Sequence, residues 1–394
     1  MGKAAFRVSF AAVLIGASSL AAAGPIEDMQ PGTWYEVPNS KLSALDPCPA
    51  RNCAYSDVQG QSAVMDVWNG GAFATRYGTK GGLIVWGGGH TAYSGNEVYI
   101  FDVGTLQWKR LSEPTTNTTC DLTEGEFPDG TPCTAHTSDG VQYHPGTNSF
   151  VILGAYGLGQ TIYSSQRTHL FSLDTMKWRR GAVYTGKGQG MYGTSAYDPK
   201  RDVFYMYPGY NAPIGMYDPD ANSGGGAWSL YNAYNADAGT MAAIDPTRDI
   251  MVWVDAYSHK QVVAFDLNNM NSPVVVKLAG DTTPMGQSGY GFDWDSSQNV
   301  FVSWTSGTSV YTLTPPAGDW RTGTWTWQKV APSGSNTVTP TAPNGNHTYS
   351  RWRYVPAVNA WILANRTSDN VFFYKLSAGA SAKTPEKPGN VVVK

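Results

Sequence analysis

Short apolar runs recur in pairs along this chain, each pair divided by a turn rich in Pro, Asp and Asn. Five pairs share one layout, over residues 140–154, 194–208, 241–255, 291–304 and 351–364, and a looser sixth copy covers 72–86. In each, a short first strand runs into a turn. Pro145, Pro199, Pro246 and Pro356 pre-set the backbone there, and Ser296 holds the same place in its copy. Asn148, Asp202, Asp249, Asn299 and Asn359 close the turns, because Asn and Asp tolerate left-handed backbone. The strand after the turn is rich in Val, Ile, Phe and Trp, so every copy predicts a β-hairpin. A third strand follows at 97–102, 168–174, 262–266, 309–313 and 370–375, with a shorter one at 216–218. Trp108, Trp178, Trp228 and Trp325 mark a fourth. No helical period is evident.

Four antiparallel strands in a unit of about 50 residues make a propeller blade. The reading is therefore an all-β propeller of six recognisable blades, with seven possible. The sixth lacks a fourth strand after Lys375, and a lone strand at 33–37 is expected to supply it. That closes the ring and covers an edge that would otherwise pair with other chains.

The ends have other compositions. Lys3 and Arg7 precede an apolar stretch at 8–20 and small residues at 21–24, which predicts a secretory signal peptide cleaved after Ala23. No later segment is apolar for long enough to predict a membrane span. Residues 24–376 are expected to form one propeller domain, and 377–394, rich in Ala, Lys and Pro, a tail without fixed structure. A secreted or periplasmic monomer follows. In an oxidising compartment the near neighbours Cys48–Cys53 and Cys120–Cys133 are the expected disulfides, out of three formal pairings; a metal site is the alternative.

Hydrophobic residues make up 41% of the chain, enough for a large core, and charged residues only 14%. The net charge of −3 leaves no basic footprint, which argues against nucleic acid and anionic membranes as partners. Fourteen Trp and 23 Tyr suit both a propeller core and a carbohydrate-binding surface.

Trp86, the run Gly87 to Gly89, His90, Tyr99 and Trp108 together resemble a kelch repeat. The chain after residue 23 resembles the galactose-oxidase/kelch propeller superfamily, a likeness that implies fold more than function.

The repeat also places side chains. Nine residues before the turn, His136 and His347 share one register; two residues further on come Ser138, Tyr192 and Tyr349. Eleven residues after it, Tyr156, Tyr210 and Tyr257 end second strands, with His90 at the matching place in blade one. All should ring one face of the propeller. Arg351 and Arg353 belong to the inner strand of blade six, Arg167 to a loop on that face. Each has a plainer reading: turn cap, wedge-filling aromatic, or partner of an inter-blade carboxylate. His144 beyond a turn, His169 in a third strand and His259 in a loop are expected to be structural or exposed, and Glu97 to hydrogen-bond within its blade.

Secreted ulvan lyases are kelch-like propellers with His, Tyr and Arg in a cleft on one face. His90, Tyr156 and Arg167 are similar in kind, although that family has seven blades. The resemblance implies a polysaccharide lyase acting on a uronic-acid glycan by β-elimination. Tyr156 would move the proton, His90 and Arg167 would offset the carboxylate charge, and His136 would assist. Tyr192, Tyr210, Tyr257, His347, Tyr349 and Arg351 would bind substrate. Neither metal nor other cofactor is required. The alternative is a non-catalytic glycan-binding or adhesion propeller. A copper-radical oxidase needs a free Cys beside a Tyr, and a hydrolase needs paired carboxylates, of which the rim offers only Asp237.

Overall fold

Every expected hairpin forms. The computed structural model describes residues 24–53, 60–89, 92–117, 119–153, 166–186, 193–209, 211–287 and 289–378. The expected leader at 1–23 lies outside the described residues, as does the tail beyond 378. Six antiparallel sheets stand around one axis. Their innermost strands, in blade order, are Gly71–Ala74, Val141–His144, Thr194–Asp198, Met241–Asp245, Gly291–Asp295 and Trp352–Val355, and each touches the next around a closed ring.

The turns work as their residues predict. Asn148, Asp202, Asp249, Asn299 and Asn359 all adopt φ between 46° and 61°. Asp198, Asp245 and Asp295, just before the turn, each accept two backbone N–H groups from it.

Strands in this fold are apolar on both faces because each sheet is packed on both sides. Leu83 and Val85 point to blade six while Ile84 and Trp86 point to blade two. Val302 and Trp304 face blade six while Phe301 faces blade four. The buried residues accordingly fall into six clusters, one for each interface between blades.

Thr33–Glu36 pairs antiparallel with Phe372–Lys375 and completes blade six, as expected. Both near-neighbour disulfides, Cys48–Cys53 and Cys120–Cys133, form. Glu97 accepts hydrogen bonds from the Tyr93 and Tyr99 hydroxyls.

Several details differ from expectation. Blade four has a fourth strand, Asn269–Val275, whose Asn, Ser and Pro content hid it. Lys277–Gly280 adds a fifth, parallel strand to the outer edge of blade five. Ala63–Asp66 and Ala221–Gly224 are single helical turns, too short to show a period. His144 is not beyond a turn but ends the inner strand of blade two, where it is buried and bonded to Asp202 of blade three. Arg351 ends a short 3-10 turn, and the blade-six strand starts one residue later.

Candidate functional site

The axis has two ends, one at the starts of the inner strands and one at their hairpin turns. The rim expected from the sequence lies at the first. His90, Tyr156, Tyr192 and Tyr210 fall outside the described residues. His136 is buried, with Nε2 3.1 Å from Ser138 Oγ and its ring 5.5 Å from that of Trp68. His347 is half-buried, and its ring meets buried Tyr349 edge-on at 5.5 Å. Burial, helped by nearby Arg351, holds the His347 imidazole below its usual pKa.

Arg351 is fully buried. Its Nε donates to the Ala364 carbonyl at 2.9 Å and its Nη2 to those of His347 at 2.8 Å and Asn365 at 3.3 Å. Nη1 donates to Asn69 of the segment entering blade one. The guanidinium thus ties blade six to blade one through main-chain oxygens. Ser138 N also donates to Trp68 O, so blades one, two and six are knitted at this end.

Two residues here escaped the sequence reading. Asp66 and Trp68 occupy in blade one the registers of His136 and Ser138. The looser turn of blade one hid the count, which its strand pairing Ala74 with Gly82 restores. Burial raises the Asp66 carboxyl above the ordinary range, against the fields of Arg351 and Arg366.

The remaining candidates lie apart. Tyr257 is 60% exposed on blade four, beside Asp237, Asp255 and His259. These last three could offer one ligand atom each to a cation, as could His144, Asp202 and Asp220. Both groups are already hydrogen-bonded internally: His259 Nδ1 lies 2.8 Å from Asp255 Oδ2, and His144 Nε2 2.9 Å from Asp202 Oδ1. Arg167 Nε donates to Glu124 at 3.1 Å, in a cluster with Glu126, His169 and Arg180. Its charge faces carboxylates of this chain.

The hairpin end holds a well that the sequence reading did not foresee. It has a volume of about 300 Å³, and all six blades line it. Two residues before the turn stand Phe73, Tyr143, Tyr197, Ile244, Trp294 and Tyr354, so five of six wall positions are aromatic. The hydroxyls of Tyr143, Tyr197 and Tyr354 each bond the Asn or Asp that closes their own turn, which fixes the rings. One residue earlier, Gln142, Asp293 and Arg353 bring polar atoms to the apolar walls.

Arg353 sits between two carboxylates. Its Nη1 is 3.7 Å from Asp293 Oδ1 and its Nη2 3.7 Å from Asp139 Oδ1, both too long for hydrogen bonds. Arg353 Nε and Asp139 Oδ1 are buried and have no hydrogen-bond partner. Asp139 Oδ2 accepts from Thr194 Oγ1 at 2.8 Å. Burial lifts Asp139 to about 6 despite the pull of Arg353, and burial also raises Asp293.

A stability test follows. The unfolded Asp139 titrates near ~4, so its raised folded value stabilises the protein fully below that pH, and the benefit disappears as pH rises through about 6. Asp139→Asn removes the charge. Its unfolding free energy minus that of the wild type should therefore rise by roughly 2–3 kcal/mol between pH 4 and 7 and stay level above. Denaturant titrations across that range measure it, and a flat difference would contradict the assignment.

No family model and no curated protein sequence matches the chain. Among solved structures it is similar to a chain of a nidogen/laminin complex, with 12% identity, covering 66% of this chain and 84% of that one, at a TM-score of 0.41. Its own strand pairing makes the chain a six-bladed β-propeller.

Proposed function

We propose that this propeller binds glycans and takes one sugar unit into the axial well at its hairpin end. The observation that carries the reading is the well itself: fixed aromatic walls around a few convergent polar groups, at the small end of the range for ligand sites. Flat rings cover the C–H faces of a sugar, and Gln142, Asp293 and Arg353 are left to meet its hydroxyls. Two disulfides support an oxidising compartment, in line with the leader expected at 1–23 and a secreted or periplasmic location.

Calorimetric titration with a panel of soluble glycans tests this. Trp294→Ala should weaken a positive ligand about tenfold or more, on the scale of a lost aromatic contact. Leu230→Ala, an exposed change on an outer strand, should leave affinity unchanged. Equal affinity in the wild type and the Trp294 variant would move the site elsewhere.

A second reading, lyase action on a uronate polymer, draws on the opposite end. Its support is His347, a half-buried imidazole held in the neutral, proton-accepting form near pH 7, with Tyr349 beside it. It predicts ultraviolet absorbance from unsaturated uronates on incubation with uronic-acid polysaccharides, lost in His347→Ala. Silence on such polymers removes this reading and leaves the binding one.

A further inference from the structure

We infer that the axial well selects an uncharged sugar through a vicinal diol, and discriminates against uronates. The inference rests on the glycan-binding reading and adds the chemical class of the ligand. It starts from the loose contacts around Arg353. At 3.7 Å the guanidinium attracts Asp139 and Asp293 without hydrogen-bonding either one. The Nε–H is buried without a hydrogen-bond partner on a side chain that lines the well, while Asp139 Oδ1, also without one, lies behind the lining.

A partner in the well must accept from the Arg353 guanidinium and donate to Asp293, the carboxylate in the lining. A hydroxyl does both, and two adjacent hydroxyls on a ring can span the gap between a guanidinium and a carboxylate. A carboxylate ligand accepts only. It would also meet Asp293 in the lining and Asp139 behind it, two negative charges against the single buried cation. Arg76 at the mouth adds positive charge, but it is exposed, donates to the Pro145 carbonyl, and is screened by water. The volume of about 300 Å³ is about ten times that of a liquid water molecule, room for one sugar ring and its hydroxyls.

The test titrates the full chain with methyl glycosides of glucose, galactose and mannose, and with those of glucuronic and galacturonic acid. At pH 7.5 at least one neutral glycoside should bind about tenfold tighter than either uronide, ~1.4 kcal/mol. Asp293→Asn removes a negative charge, keeps an oxygen for the Trp294 amide and gives up the longer bond from the Tyr354 amide, which the other oxygen accepts. It should narrow the gap between neutral and acidic sugars about tenfold. Arg76→Gln, at the exposed mouth, carries little risk to folding and should leave the preference standing. Uronides that bind as well as neutral sugars, with both classes lost in Trp294→Ala, overturn the selectivity and keep the glycan site. Binding of neither class at millimolar concentration overturns the glycan site itself. Neutral binding that Trp294→Ala does not touch overturns the placement in this well.

Discussion

Replacing Arg351 with Met should destabilise the propeller by about 3–5 kcal/mol, among the largest single losses available in this chain. The guanidinium is fully buried and its hydrogen bonds run to four backbone carbonyls, those of Asn69, His347, Ala364 and Asn365. Burial pushes its pKa down to about 10, so at neutral pH it still carries its charge. A Met side chain has similar length and no donor. Four carbonyls would lose their partner where water does not easily replace it, and each such loss costs on the order of 1 kcal/mol or more. Arg351→Lys should recover part of the loss, because an ammonium has three donors but not the planar fork that reaches several oxygens at once. Urea or guanidinium midpoints measure the series. A loss below about 1 kcal/mol for the Met variant would mean that the carbonyls find other partners, and that Arg351 is available to a ligand as the sequence pattern suggested.

That case shows where the sequence was readable. The hairpins were legible because their information is local: a Pro that pre-sets one torsion, an Asn or Asp that accepts the left-handed one, and apolar strands on each side. The six-blade count followed, as did the closing strand at 33–37, because the last blade was visibly one strand short. Blade four's outer strand was missed because it is rich in Asn and largely exposed, and because Met270 stands where blades one and two carry Trp108 and Trp178. The axial well was illegible for a different reason. Its polar groups occupy one register, but that register holds Ala72, Gln142, Ala196, Ala243, Asp293 and Arg353, a set with no repeat to notice. Only the closed ring brings residues 142, 293 and 353 to one axis. The rim residues His136, His347 and Tyr349 were placed by counting back from the turn, and that count could not show that His136 and Tyr349 are buried or that Tyr349 opens a 3-10 turn ahead of its strand. Nor could it show that Arg167 faces Glu124 and Glu126.

Trp34→Ala tests the ring closure, with an expected cost of about 3–5 kcal/mol. Trp34 is the aromatic centre of the closing strand and is almost wholly buried. Its ring packs against Trp304 at 6.0 Å, Trp352 at 5.8 Å and Tyr374 at 4.9 Å, joining blades five and six. Its indole N–H donates to the Thr308 carbonyl at 2.9 Å. Truncation removes the stacked area, empties a large volume in the packed interface, and leaves that carbonyl without its donor. The damage should also be local, because Thr33–Glu36 pairs only with Phe372–Lys375 and Trp34 is its one buried side chain, Tyr35 being partly buried on the opposite face. Amide exchange at Phe372–Lys375 should therefore accelerate far more than at Val203–Tyr207 in blade three, on the other side of the ring. Trp34→Phe, which keeps a ring but no N–H, should fall between the two. Uniform acceleration in every blade would mean that the strand contributes to the whole ring as one cooperative unit and not as a latch on blade six.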